Sequence, residues 1–193
     1  VAISNARLHQ LISRQAYSDT LTGLPNRRAL DERLEDEVVA ARRNNYSFAV
    51  MMMDLDGFKA VNDTYGHSTG DEVLRIAFSH LARGVRNTDF LARYGGDELT
   101  LILTQSDMSS AQIVASKITE TMRNLKYKLP DGKNPKLGIS GGIALYPIHG
   151  QIAPDLLRAA DAALYYAKKH NRGSFQVARG ITGPLSKPNI RGE

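Results

Sequence analysis

Cysteine is absent from the 193 residues, which excludes a disulfide framework and a zinc–thiolate centre and leaves the chain compatible with a reducing cytoplasm, the location we expect for it. Also missing is any run near the roughly 18 consecutive apolar residues of a membrane span, so no membrane contact is expected from this stretch. Charge of one sign is scarce where it would matter. The formal net charge is +5, but Arg7 and Arg14 at one end, with Arg179, Lys187 and Arg191 against Glu193 at the other, carry +4 of it and leave residues 17–178 at +1. Within that body the signs mix closely, as in Asp31-Glu32-Arg33-Leu34-Glu35-Asp36-Glu37, the pattern of a solvated helix face. A nucleic-acid polymer is therefore not an expected partner, because proteins that bind one gather Lys and Arg on one face.

What is present suits one domain with a real core and short extensions. Ile3, Ala6, Leu8, Leu11 and Ile12 are apolar among polar positions, and residues 1–17 are expected to form a linker helix arriving from an upstream domain. The wording Ala2-Ile3-Ser4-Asn5-Ala6-Arg7-Leu8 is similar to the last helix of GAF sensor domains. After a turn over Asp19 to Pro25, Asn26 can cap a helix whose Leu30, Leu34, Val38 and Ala41 face inward. Phe48 to Met53 is short and continuously apolar, which suits a central strand buried on both faces. Helices are expected over about 58–65 and 68–85. A β-hairpin should follow from 90–94 and 98–103, with Gly95 and Gly96 permitting positive φ at its turn. A helix through Ala111, Val114, Ile118, Met122 and Leu125, a strand over 137–146, a helix over 154–169 and a closing strand over 174–177 complete the pattern. Gly, Pro, Ser and charge then dominate, and 179–193 reads as a flexible tail. Mixed elements without repeats point to an α/β or α+β domain.

Two acidic clusters interrupt or follow the strand-like runs: Met53-Asp54-Leu55-Asp56-Gly57-Phe58-Lys59 and Arg93-Tyr94-Gly95-Gly96-Asp97-Glu98-Leu99. Strands ending there would deliver carboxylates to one edge of a sheet. Hard divalent cations such as Mg²⁺ take oxygen ligands and keep only one or two protein carboxylates, because phosphates and waters complete their shell. The clusters therefore suit metal-assisted nucleotide chemistry. Around them stand Asp19-Thr20-Leu21-Thr22-Gly23-Leu24-Pro25-Asn26-Arg27-Arg28, Asn62-Asp63, Gly66-His67-Ser68-Thr69-Gly70-Asp71, Ser140-Gly141-Gly142-Ile143-Ala144 and Ala160-Asp161-Ala162-Ala163-Leu164-Tyr165-Tyr166-Ala167-Lys168. In that order the blocks resemble the GGDEF family of diguanylate cyclases, from Ser18 to about Phe175.

The resemblance implies a GGDEF domain over 18–178, built as a central, mostly antiparallel, five- to six-stranded sheet flanked by helices, like nucleotide cyclases and polymerase palms. It implies condensation of two GTP into cyclic di-GMP with loss of two pyrophosphates, by a homodimer with one GTP per domain. Asp54, the main-chain carbonyl of Leu55 and Asp97 would hold Mg²⁺ or Mn²⁺, two ions per site. Asp97 would also assist deprotonation of the attacking hydroxyl, with Asp54 and Glu98 as its catalytic neighbours. Gly57, Phe58 and Lys59 would offer helix N-terminal amides to phosphate, with Gly95 and Gly96 beside the nucleotide. Lys168 and Arg172 would reach the outer phosphates, and Asn62 and Asp71 would read guanine. Arg86 and Asp89, in Arg86-Asn87-Thr88-Asp89, match the family's inhibitory product site. A different expectation, from the same pocket, is a regulatory module that binds GTP or cyclic di-GMP with little or no turnover. Asp56, just before a helix, is expected to give structural support, as an aspartate there can cap free amides. Two departures stand out. Leu99 replaces the usual phenylalanine and should pack inward with less volume, and Asn171 stands where glycine is common, a lesser departure because asparagine tolerates left-handed geometry.

Overall fold

The computed structural model describes residues 16–180. The expected linker helix lies outside the described residues except for its last two positions, and the expected tail lies outside them beyond Gly180. In chain order the elements are α1 (Arg27–Asn44), β1 (Phe48–Asp56), α2 (Phe58–Tyr65), α3 (His67–Ala82), β2 (Phe90–Gly95), β3 (Glu98–Leu103), α4 (Met108–Arg123), β4 (Gly138–Tyr146), α5 (Ala153–His170) and β5 (Phe175–Val177). The strands form one sheet in the order β2-β3-β1-β4-β5. Its pairs are antiparallel except β4 with β5. Among the described residues the sheet has five strands, and it is an α+β, palm-like arrangement.

β1 lies at the centre and is buried from Phe48 to Leu55, because both faces of the sheet are covered. Successive side chains alternate between faces. Ala49, Met51, Met53 and Leu55 join the core under α2, α3 and α4. Val50 and Met52 join the core under α1 and α5. The uninterrupted apolar run thus serves two cores at once. Continuing the alternation, Asp54 and Asp56 fall on the α5 side at the strand's end.

Local signals agree with these positions. Asn26 caps α1 by accepting a hydrogen bond from the Ala29 amide at 3.1 Å, and Asn45 ends it in left-handed backbone, φ 53°. α5 settles directly on β4 at Gly142, where a Cβ would lie 2.0 Å from the Ala160 carbonyl oxygen. The hairpin turn departs from expectation in detail. Gly96 takes positive φ, 39°, whereas Gly95 remains the last residue of β2. At the end of α5 the left-handed residue is Gly173, φ 76°, and Asn171 sits at φ −154°. The turn reverses at Gly173, so the tolerance of asparagine for left-handed backbone is not called upon at Asn171.

Candidate active site

The site is built where β1 ends. Register places Asp54 opposite Glu98 on one side and Ser140 on the other. The Leu55 amide donates to the Asp97 carbonyl at 3.2 Å, pinning the β2–β3 turn against β1. A strand residue's amide and carbonyl point to the same neighbour, so the Leu55 carbonyl also faces that turn. Asp54 is only 8% exposed. Lys168 reaches down from α5 and sets its Nζ 2.5 Å from Asp54 Oδ2. Burial raises the Asp54 pKa, the Lys168 contact opposes that, and the charges of Asp97 and Asp56 push it further up. Glu98 is raised too, first by burial and then by Asp54, with Asp97 and Asp161 adding and Lys168 opposing. The structure therefore gathers Asp54, Asp97, Glu98 and Lys168, all expected from the sequence. Asp161, on α5, was not expected.

Arg93 holds the β2–β3 turn in shape. Its Nε and Nη2 donate to the Gly96 carbonyl at 2.9 and 2.7 Å, and its Nη1 meets Asp19 Oδ1 at 2.8 Å. Its amide donates to the Pro25 carbonyl at 2.8 Å. Asp19 Oδ1 accepts further hydrogen bonds from the amide and hydroxyl of Thr22. Sequence reasoning assigned no role to either Arg93 or Asp19. The available signal was the Asp-x-x-Thr spacing, which marks a side chain folding back on its own turn.

Asp56 gives support, but not as a helix cap. α2 begins at Gly57 without any side-chain cap. Asp56 Oδ2 instead accepts from Ser140 Oγ at 2.6 Å and from the Gly173 amide at 3.1 Å, tying β1 to β4 and to the turn after α5. The reason is the strand alternation that turns Asp56 toward α5, away from the amides ahead of it. Its buried Oδ1 has no hydrogen-bond partner among the described residues and faces Arg172 Nη1 at 3.9 Å. Gly57 must be glycine, since φ is 85° and a Cβ would stand 2.5 Å from the Lys136 carbonyl oxygen. The uncapped amides that follow, at Phe58 and Lys59, remain a place for anionic oxygen.

Asn62 on α2 packs against Gly70, the residue before Asp71 on α3. Asn62 Oδ1 is buried without a donor in the space a Gly70 Cβ would occupy, at 1.8 Å. The oxygen end of the amide is thus turned inward, and Asp71, the residue after Gly70, is exposed. A carboxamide and a carboxylate carry the kinds of donor and acceptor that a purine edge pairs with. Arg172 is exposed and anchored through its Nε to the Lys168 carbonyl at 3.2 Å. Arg86 and Asp89 are not brought to the acids: they lie before β2, at the strand's opposite end from the Gly95-Gly96 turn. There Arg86 is exposed, while Asp89 Oδ1 accepts from the Thr104 amide at 3.3 Å. Burial raises the Asp89 pKa, with the Thr104 amide and Arg86 opposing.

Among the described residues, no three His, Cys, Asp or Glu side chains are grouped to hold a metal ion by themselves. The donors that are grouped, Asp54, Asp97 and the Leu55 carbonyl, are hard oxygens. They fit a Mg²⁺-type ion that leaves most of its shell to phosphate and water. An ammonium drawn onto Asp54 shows how strongly this pocket favours positive charge.

Comparison with known proteins agrees with this architecture. The model of the family described as "Diguanylate cyclase, GGDEF domain" matches residues 16–174. The bifunctional diguanylate cyclase/cyclic di-GMP phosphodiesterase MucR of Pseudomonas aeruginosa is 41% identical over 175 residues, covering 91% of this chain and 25% of that protein. Diguanylate cyclase DosC of Escherichia coli is 36% identical over 162 residues, covering 82% of this chain and 34% of that protein. The chain thus spans about a quarter to a third of these relatives. Among solved structures, the GGDEF domain of TpbB from Pseudomonas aeruginosa superposes with a TM-score of 0.78 at 36% identity, covering 82% of this chain and 98% of that one. The coiled coil and GGDEF domain of DgcB from Caulobacter crescentus, in complex with c-di-GMP, gives 0.85 at 29% identity, covering 92% and 94%. With most of its length matched by the family's model and its acids assembled at the end of the same sheet, this chain belongs to the diguanylate cyclase GGDEF family.

Proposed function

We propose that this domain is a working diguanylate cyclase, condensing two GTP into cyclic di-GMP as a homodimer in the cytoplasm. The observation that carries the reading is the convergence of Asp54, Asp97 and Glu98 with Lys168 at one end of the sheet. Guanine binds between Asn62 and Asp71, and the phosphates lie along the α2 amides toward Lys168 and Arg172. The 3′-hydroxyl of each GTP attacks the α-phosphorus of the other; a phosphodiester forms, pyrophosphate leaves, and the hydroxyl proton passes to Asp97 or Glu98. When bound, Mg²⁺ or Mn²⁺, two per site, supplies charge neutralisation of the triphosphate and acidifies the attacking hydroxyl. Asp54, Asp97 and the Leu55 carbonyl are the residues that would hold it. Alignment of two bound nucleotides in facing domains supplies the orientation on which such a reaction depends. Product binds back at Arg86 and Asp89 and inhibits, since arginine pairs bidentately with phosphate.

The test is GTP turnover with Mg²⁺ or Mn²⁺ at several protein concentrations, with products separated and Asp97→Ala as control. Cyclic di-GMP that rises faster than linearly with protein and vanishes in the control is expected. Nucleotide binding without product, even in a domain forced to dimerise, would instead make it a regulatory nucleotide-binding module.

A further inference from the structure

The Lys168–Asp54 contact has a geometry that bears on how the site is loaded. Lys168 Nζ stands 2.5 Å from Asp54 Oδ2, closer than a solvated surface pair. The carboxylate is almost wholly buried, while the lysine side chain keeps about a third of its surface exposed, 31%. The carboxylate is thus fixed in the sheet and the ammonium is its movable partner. Asp54 is flanked by Glu98 and Ser140 in the neighbouring strands, and the Lys168 ammonium sits on its Oδ2, an oxygen that a cation would also need.

We propose that Lys168 is an internal competitor for the divalent cation: in the nucleotide-free domain its ammonium occupies Asp54, and an arriving triphosphate draws it away and opens the metal position. This inference rests on the reading of the site as a GTP site and adds an order of events to it. A lysine is a compact point charge on four flexible methylenes, so rotation of its side chain suffices to exchange a carboxylate for a phosphate. Arg172, one turn on, is already exposed and held to the Lys168 carbonyl at 3.2 Å, where it can take part of the same phosphate charge. Burial makes an unpaired Asp54 carboxylate unfavourable, and so the pocket is filled by one cation or the other in both states. The ammonium also repels a second cation at this range.

Two consequences follow. Metal alone binds weakly, and nucleotide and metal bind with positive coupling that is reciprocal by thermodynamic necessity. A domain so built holds its acids shielded until substrate is present.

The experiment measures Mn²⁺ binding to the full chain by electron paramagnetic resonance, with and without a non-hydrolysable GTP analogue, in the wild type, Lys168→Met, Lys168→Gln and Asp54→Asn. Without nucleotide, both Lys168 variants are expected to bind Mn²⁺ about tenfold more tightly than the wild type, within the usual 5–150-fold span of such couplings. Adding the analogue should tighten Mn²⁺ binding strongly in the wild type and much less in the variants. Adding Asp54→Asn to Lys168→Met should abolish the gain that Lys168→Met gives. Equal or weaker Mn²⁺ binding by both Lys168 variants overturns the inference, and so does a gain that survives in the Lys168→Met, Asp54→Asn double variant. If the wild type binds Mn²⁺ no better with the analogue than without it, this inference falls, and if the analogue itself does not bind, the GTP-site reading falls with it.

Discussion

Arg93 and Asp19 are separated by more than seventy residues yet meet at 2.8 Å with both side chains largely buried. The same guanidinium grips the Gly96 carbonyl through two further nitrogens. One side chain thus joins the segment that enters the domain to the turn that carries Asp97 and Glu98.

Arg93→Lys tests that joint. Lysine keeps the charge but lacks the planar fork that serves Asp19 and Gly96 together. We expect turnover to fall about 10–100-fold, the scale seen when a catalytic group is misplaced by an ångström, with a stability loss of about 1–3 kcal/mol for hydrogen bonds to a charged group. Asp19→Asn should behave similarly and adds a pH signature. Burial pushes the Asp19 pKa up, but the Thr22 and Arg93 hydrogen bonds outweigh it and hold it below the usual value of 3.8. A depressed carboxylate contributes stability that is full above the unfolded pKa and is lost as pH falls through the folded one. The gap between wild type and Asp19→Asn in urea denaturation should be constant above about pH 5 and close below about pH 4. A gap that persists unchanged below pH 3 would count against the ion pair.

Glu98 has the opposite sign. Its folded pKa lies above 4.5, raised by burial and then by the charge of Asp54. Ionising it therefore opposes folding: the penalty is absent below the unfolded pKa, builds as pH rises through the folded one and stays above it. Glu98→Gln should melt higher than the wild type at pH 8, by on the order of 2–4 °C for ~1 kcal/mol in a domain of this size. The two should converge near pH 4. Turnover should meanwhile fall on the order of 10²-fold or more if Glu98 handles a proton. Stability gained where activity is lost is the usual mark of a site whose groups are assembled for function, and identical melting at pH 8 would remove it here.

Gly142 sets the height of α5 above the sheet. A Cβ there would stand 2.0 Å from the Ala160 oxygen and 2.4 Å from the Leu164 nitrogen, both backbone and unable to turn aside. Gly142→Ala should lose stability at the upper end of the ~1–3 kcal/mol of overpacking, and shift α5 so that Lys168 no longer reaches Asp54. Gly138→Ala, whose Cβ would find nothing nearer than 3.5 Å, is the control and should melt within about 2 °C of the wild type, as most mild changes do. Equal melting of the two variants would show that α5 has room to yield.

The acids were legible in the sequence because strand runs, glycines and carboxylates are local patterns. Their register was not, since the pairing of Asp54 with Glu98 and Ser140 depends on non-local contacts. Asp56 shows where local reasoning fails: a position before a helix suggests a cap, but strand alternation had already turned the side chain toward Ser140 and Gly173. Asn171 in place of glycine costs the turn nothing in backbone conformation, because the reversal falls at Gly173. Leu99 packs inward as its place after Glu98 implied, 1% exposed. Arg93 and Asp19 went unassigned because neither has a function until the other is beside it.

Arg86 offers the cleanest separation of regulation from folding and catalysis. It is exposed, lies before β2 at the strand's far end from the β2–β3 turn and forms no ion pair among the described residues, while Asp89 is fastened to Thr104. Arg86→Ala should therefore leave the stability of the ligand-free protein within ~0.5 kcal/mol of the wild type, as for ordinary surface changes. If product binds at Arg86 and Asp89, the wild type should gain about 2.7 kcal/mol at a hundredfold excess over Kd, and the variant should lose about half of that gain or more. Initial turnover should be unchanged, whereas the concentration of cyclic di-GMP needed for half inhibition should rise at least tenfold, the equivalent of losing ~1.4 kcal/mol of binding. Inhibition that remains as strong in Arg86→Ala would mean that product acts by competing at the acids themselves, and the exposed arginine would have no part in it.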